Sequence, residues 1–150
     1  MAKLRNLVLV LGDQLDLDLS AFDGFDPERD AIWMAENDTE ATHVWCHKKR
    51  LVLFFAAMRH FRDALREREW PVYYHALAAD RRHDSGPDFA AILTARIREL
   101  EPERLVMTEC GDYRVHGMLS ECAETHGLNL QVRPDRHFYC SLDTFDEWAG

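Results

Sequence analysis

The residues best placed to do chemistry are Gly12, Asp13 and Gln14, which directly follow the apolar run Asn6–Leu11. A continuous apolar run of this length predicts a strand buried on both faces of a parallel sheet. Glycine lets the backbone turn sharply or approach a ligand closely, and polar groups at a strand end can hydrogen-bond that ligand. The alternative is a turn in which Asp13 caps local amides. The spacing matches neither a dinucleotide-binding fingerprint nor a phosphate-binding loop.

A second polar stretch, residues 36–43, joins the second strand signal to the longest helical pattern. Glu36 ends an apolar run, so we expect its carboxylate at the same sheet edge, where it could accept hydrogen bonds from a heterocycle. Glu40 follows four residues later. The structural alternative is that these carboxylates stabilise a helix N-terminus, which is worth roughly 0.3–1 kcal/mol each.

His43, Cys46 and His47 have the i, i+3, i+4 spacing of one helix face. Three such ligands could bind zinc, but no fourth ligand stands at a defined spacing. Contact with an organic ligand and a packed core face are the favoured interpretations. The adjacent cations Lys48–Arg50 are typical of a solvated helix face, although they could bind a phosphate or a ribityl chain.

Composition limits the remaining functions. The 150 residues suggest about one domain, and 18 Lys and Arg against 27 Asp and Glu give a net charge of −9. We expect no direct DNA binding, because phosphate contacts need clustered cations. No nucleophile elbow, kinase signature or zinc-hydrolase helix is present, so the residues alone do not indicate an enzyme.

Cysteine usage and apolar runs predict a cytoplasmic location. The four cysteines form no C-x-x-C pair, which favours reduced thiols over a disulfide framework. The start of the chain is not a secretory signal. The longest apolar run, Leu51–Met58, is far shorter than the roughly 20 residues that cross a bilayer.

Strand signals alternate with helical ones over most of the chain, which predicts an α/β fold. The commonest arrangement is a Rossmann-like open parallel sheet of order 3-2-1-4-5 with helices on both faces. Residues 15–30 predict no long helix. The predicted strands are Asn6–Leu11, Ala31–Glu36, Pro71–Leu77, Arg104–Glu109 and Leu128–Arg133, the last an edge strand. The predicted helices are Thr42–Arg68, Pro87–Leu100 with a capping box from Ser85, Gly111–His126 stopping at Gly127, and Leu142–Ala149 starting from Ser141.

This strand order places the topological switch point between the first and fourth strands. The site would then gather residues 12–14, Glu36 and residues 109–114.

Several short motifs occur in one order along the chain. They are residues 9–15 (LVLGDQL), Glu36, 40–44 (EATHV), 47–49 (HKK), 57–61 (AMRHF) and 108–114 (TECGDYR). Joined in this order, they resemble the N-terminal domain of the deoxyribodipyrimidine photolyase-related proteins, the iron–sulfur bacterial cryptochromes and (6-4) photolyases. The resemblance covers essentially the whole chain. The chain departs from the family pattern at His43, Cys46 and Cys110, where Tyr, His and Pro are usual.

The resemblance implies that residues 1–150 form a single N-terminal antenna-binding domain of a protein for light-driven DNA repair or light sensing. The implied antenna is 6,7-dimethyl-8-ribityllumazine. FAD and a 4Fe-4S cluster would belong to a helical domain that is absent from this chain and would be its partner; catalysis would not occur here. The predicted chromophore contacts are Gly12, Asp13, Gln14, Glu36, Glu40, His43, Cys46, His47, Phe54 and Glu109.

Two other functions stay open. The chain could be a structural docking domain with an empty crevice, or a free-standing nucleotide-binding module. The second is disfavoured by the missing phosphate loop, and thermal stabilisation by a nucleotide would reveal it.

Overall fold

Five parallel strands form the framework of the chain, as seen in a computed structural model that describes residues 3–37, 46–77 and 88–150. The sheet order is β3-β2-β1-β4-β5, and every neighbouring pair runs parallel. This confirms the predicted α/β class, open sheet and strand order. The strands are β1 (Asn6–Leu9), β2 (Asp30–Ala35), β3 (Val72–His75), β4 (Arg104–Thr108) and β5 (Asn129–Arg133).

Strand β1 lies at the centre because its side chains are apolar on both faces of the sheet. Leu7 pairs in register with Ala31 on one side and with Leu105 on the other, and all three are almost fully buried. Strand β5 is largely exposed and lies at the edge, as predicted. The most apolar strands therefore occupy the positions that are covered on both faces.

Helices cover both faces of this sheet. Beside a short 3-10 helix, Ser20–Phe22, the described residues form four α-helices, and none of these is long and apolar enough to cross a membrane. Met58 and Leu65 of the first helix pack on one face, whereas Leu93 and Leu119 of the second and third pack on the other. The helices are α1 (Lys48–Glu67), α2 (Phe89–Leu100), α3 (Tyr113–Thr125) and α4 (Leu142–Ala149).

Helix α1 begins later than Thr42, which itself lies outside the described residues. His47 has an extended backbone, and its Nδ1 accepts a hydrogen bond from the Lys49 amide at 3.1 Å. This cap satisfies an amide that has no helical acceptor. The prediction that Cys46 and His47 share a helix face with His43 is therefore wrong, because both precede the helix.

Aspartate and serine side chains cap the other helices. Asp88 accepts from the Ala91 amide at 2.7 Å, so α2 begins at Phe89 rather than in the predicted box, whose residues 85–87 lie outside the described ranges. Ser141 caps α4 as predicted. Gly127 lies just beyond α3 with a φ of 64°, the left-handed conformation that glycine adopts freely.

The connection between β1 and β2 is fixed by side chains of distant strands. The Thr108 hydroxyl lies 3.1 Å from that of Ser20, and the Arg133 guanidinium donates to the carbonyls of Ser20 and Asp23 at 2.8 and 2.9 Å. These contacts hold residues 15–30 in place. The segment forms no long helix, as the sequence predicted.

A second set of polar contacts joins this connection to residues 135–137. His137 Nε2 lies 3.0 Å from Asp16 Oδ2, and its Nδ1 lies 2.8 Å from Asp135 Oδ1. The hydrogen bond to Asp135 and the charges of both carboxylates raise the pKa of His137. The contact is therefore strongest when His137 is protonated.

We expect the contribution of His137 to stability to be present in full below pH 6.5, its ordinary pKa, and to disappear as the pH rises through the higher pKa of the folded state. An NMR titration of the imidazole should give a pKa above 6.5, and Asp135→Asn should lower it more than Asp16→Asn. The exposed Asp143→Asn is the matched control. A His137 pKa at or below 6.5 would contradict this prediction.

Candidate functional site

A crevice of about 320 Å³ opens at the carboxyl ends of the central strands. Gly12 and Asp13 follow β1, Asn37 follows β2, and Cys110 follows β4. Parallel strands bring these ends to one edge of the sheet, at the switch point where α/β proteins bind ligands. The predicted convergence of the three strand ends is confirmed for these residues.

Apolar side chains form most of the crevice wall. Phe54 and Phe55 of α1 have their ring centroids 6.0 Å apart, and Phe89 at the start of α2 is held edge-on against Trp33 at 5.0 Å. Burial raises the pKa of the Cys110 thiol, which keeps this lining residue uncharged. A wall of this kind suits a planar heteroaromatic ligand. The other apolar lining residues are Leu11, Ala35, Cys46, Leu51, Met58 and Val115.

The absence of a side chain at Gly12 lets the ring of Phe54 pack closely against the backbone in the crevice. A Cβ atom at this position would lie 2.4 Å from Phe54 Cζ and 2.9 Å from Met58 Sδ. The ring of Phe54 thus occupies the space that glycine leaves open. The predicted close approach at Gly12 is made in this structure by a side chain of the chain itself.

The polar groups of the crevice carry balanced charges. Asp112 and Arg114 form an ion pair at 3.2 Å at the start of α3. Asp13 and Arg50 also line the crevice, and neither makes an ion pair within the parts of the chain that the structure describes. One carboxylate and one guanidinium are therefore available to a ligand.

Glu36 does not line this crevice. Its fully buried carboxylate accepts two hydrogen bonds from Arg59, at 2.6 and 2.9 Å, one from the Tyr74 hydroxyl at 2.5 Å and one from the Leu77 amide at 2.9 Å. Burial alone would raise the pKa of Glu36, but these donors outweigh it and lower the pKa. The structure thus places the predicted ligand acceptor in an internal network that joins β2, β3 and α1.

Gln14 and Glu109 also lie outside the crevice lining. The Gln14 amide group is buried and donates to the carbonyls of Thr108 and Glu109 at 3.2 and 2.9 Å, which ties the end of β1 to the end of β4. Glu109 faces a second, smaller depression beside Arg133 and Ser141. The hydrogen bonds of Gln14 to the backbone at Glu109 therefore fix the sheet edge beside the crevice, and neither side chain forms part of the crevice surface.

Of the other predicted chromophore contacts, some line the crevice and some lie outside it. Cys46 and Phe54 line the crevice, whereas His47 is exposed and caps α1. Glu40 and His43 lie outside the described residues.

Sequence reasoning did not single out Phe55, Met58 or Phe89 as site residues, and it considered Arg50 only as one of the cations Lys48–Arg50 that could bind a phosphate or a ribityl chain. Their signal was ambiguous, because Phe55 and Met58 fit the apolar spacing of a core helix and Arg50 belongs to a run of three cations. The i, i+4 step from Arg50 to Phe54 was the available clue, since it places both on one face of α1.

Nearly the whole chain is similar to known proteins. A family model described as deoxyribodipyrimidine photo-lyase-related protein matches residues 8–150. A (6-4) photolyase from Agrobacterium fabrum is 36% identical over 147 residues, which are 98% of this chain and 28% of the relative's length. The chain thus spans little more than a quarter of that relative.

Proposed function

This chain belongs to the deoxyribodipyrimidine photolyase-related protein family, and we propose that its crevice binds an antenna chromophore, 6,7-dimethyl-8-ribityllumazine. The observation that carries the proposal is the crevice itself, an apolar-walled space of about 320 Å³ at the switch point of the sheet. Small-molecule sites usually measure roughly 300–1,000 Å³ and combine apolar walls with a few polar groups. A bicyclic ring with a polyol chain suits that description.

Different lining residues contact different parts of such a ligand. Phe54, Phe55 and Phe89 supply flat apolar surface for the ring system. Arg50 donates to ring carbonyls or hydroxyls, and Asp13 accepts from N–H or O–H groups. When bound, the chromophore absorbs light and passes the excitation to a flavin elsewhere in the protein, so no bond is made or broken in this crevice.

The flavin and an iron–sulfur cluster would be held by further parts of a longer protein of light-driven DNA repair or light sensing. The share of the relative that this chain leaves uncovered is consistent with such a protein. A surface for contact with it is available at the end of the chain, where large apolar side chains stand in solvent, Trp148 with 82% of its surface exposed. Exposed apolar clusters of this kind favour protein–protein contact. The others are Phe138, Tyr139, Leu142 and Phe145.

That exposed surface also favours the second candidate, a docking domain whose crevice holds no chromophore. The two functions differ in one measurable property, which is whether the chain binds the lumazine. The internal partners of Glu36 and Gln14 are compatible with either.

The test is a titration of the purified chain with 6,7-dimethyl-8-ribityllumazine, followed by its absorption band and fluorescence anisotropy. We expect a shifted or quenched band and a saturable rise in anisotropy. Arg50→Ala should weaken binding about tenfold, because it removes one charge-assisted hydrogen bond. Lys49→Ala is the matched control, since Lys49 lies in the same helical turn but does not line the crevice.

An unchanged spectrum with flat anisotropy would favour the docking domain. Equal losses in the Arg50 and Lys49 variants would place the ligand elsewhere on the surface.

A further inference from the structure

Aspartates cap the N-termini of α2 and α3, whereas His47 caps α1, whose Lys48 and Lys49 do not line the crevice. Phosphate binds at helix N-termini because their first amides have no helical acceptor. At α3 these amides are taken by Asp112, whose Oδ1 accepts from Arg114 N at 2.9 Å and Val115 N at 3.3 Å. At α2, Asp88 takes the Ala91 amide. A ligand phosphate would have to displace a carboxylate at either helix.

The turn after β1 offers no phosphate cradle either. No regular α-helix follows Gly12 and Asp13, since the next helical element is the short 3-10 turn Ser20–Phe22. In place of a helix N-terminus, the turn presents the exposed carboxylate of Asp13 to the crevice. The Asp13 carboxylate therefore places a negative charge where a helix N-terminus would carry a partial positive charge.

The charged side chains among the described lining residues show no excess of cations. Asp112 and Arg114 are paired with each other, and Arg50 faces the same space as Asp13. Among the described lining residues, two carboxylates thus balance two guanidinium groups. A dianionic phosphate would meet one guanidinium at the cost of repulsion by Asp13, whereas an uncharged polyol can bond to both groups.

From this arrangement we propose that the crevice takes the uncharged ribityl form of its heteroaromatic ligand and excludes the 5′-phosphate ester, with Asp13 as the residue that sets this specificity. The inference rests on the proposed function, since it concerns the same crevice. It also separates this site from the nucleotide-binding module that the sequence left open. A phosphorylated ligand of any ring type would be disfavoured for the same reason.

The experiment compares two probes that differ only in the phosphate, 6,7-dimethyl-8-ribityllumazine and its 5′-phosphate ester, each titrated into the full chain. The ester should bind at least about tenfold more weakly at low salt. The ratio should fall as salt rises from 0.02 to about 0.5 M, because salt screens the repulsion. Asp13→Asn should bring the two affinities to within about threefold, and Asp143→Asn on α4 should leave the ratio unchanged.

The outcomes separate the inference from the function on which it rests. If the ester binds as tightly as the parent, or if Asp13→Asn does not change the ratio, the crevice binds a chromophore but the role of Asp13 is overturned. If neither probe binds, the proposed function and this inference fall together. Preferred binding of the ester would instead assign Arg50 to a phosphate.

Discussion

The Glu36→Ala variant is expected to lose about 3 kcal/mol of unfolding free energy, which lowers Tm by roughly 6–12 °C for a chain of this size. The carboxylate of Glu36 is fully buried and accepts four hydrogen bonds. Removing one partner of a buried ion pair costs about 3–5 kcal/mol. We expect the lower end, because the Arg59 side chain is 49% exposed and water can solvate it in the variant.

Thermal unfolding followed by circular dichroism measures this loss, with the exposed Glu147→Ala as control. The same carboxylate should make the fold sensitive to acid. Its pKa is lowered in the folded state, so its contribution is present above the ordinary pKa of about 4.5 and is lost as the pH falls through the folded value. Glu36→Gln should reduce that acid sensitivity. A Tm within 2 °C of the parent for Glu36→Ala would show that the network contributes little.

The second large effect is expected at Gly12. An alanine there would place its Cβ 2.4 Å from Phe54 Cζ and 2.7 Å from Cε1, so the ring must move. Overpacking of this kind costs about 1–3 kcal/mol. In the Gly12→Ala/Phe54→Ala double variant the clash with the ring is absent, so the loss should be smaller than the sum of the single losses by about 1 kcal/mol.

Urea unfolding of the parent, the two single variants and the double variant measures this coupling. Gly111→Ala is the matched control, because a Cβ there meets nothing within 4 Å. Strictly additive losses would mean that the ring of Phe54 does not stand over Gly12.

The fold was predictable because its signals are local. Apolar runs mark β1, β2 and β4, polar turns separate them, and alternation with helices leaves few topologies. The order of the sheet was predicted correctly as the commonest arrangement for such a pattern. The start of α1 was not predictable from periodicity, because the cap made by His47 depends on a backbone conformation that the apolar spacing does not encode.

The site was predictable only at the level of its place in the fold. Glu36 was expected to meet a ligand, but its actual partners, Arg59 and Tyr74, lie 23 and 38 residues away in sequence. The same holds for Gly12 and Phe54. Contacts over such distances depend on how α1 packs on the sheet, which no local pattern in a single sequence specifies.

The position of the bound lumazine decides whether the crevice is the chromophore site. Intermolecular nuclear Overhauser effects should connect the two ring methyl groups to the Met58 methyl and to Val115, which line the crevice from α1 and α3. Contacts to Val132 and Leu142 at the second depression, or no intermolecular contacts at saturating ligand, would show that the crevice does not bind the lumazine.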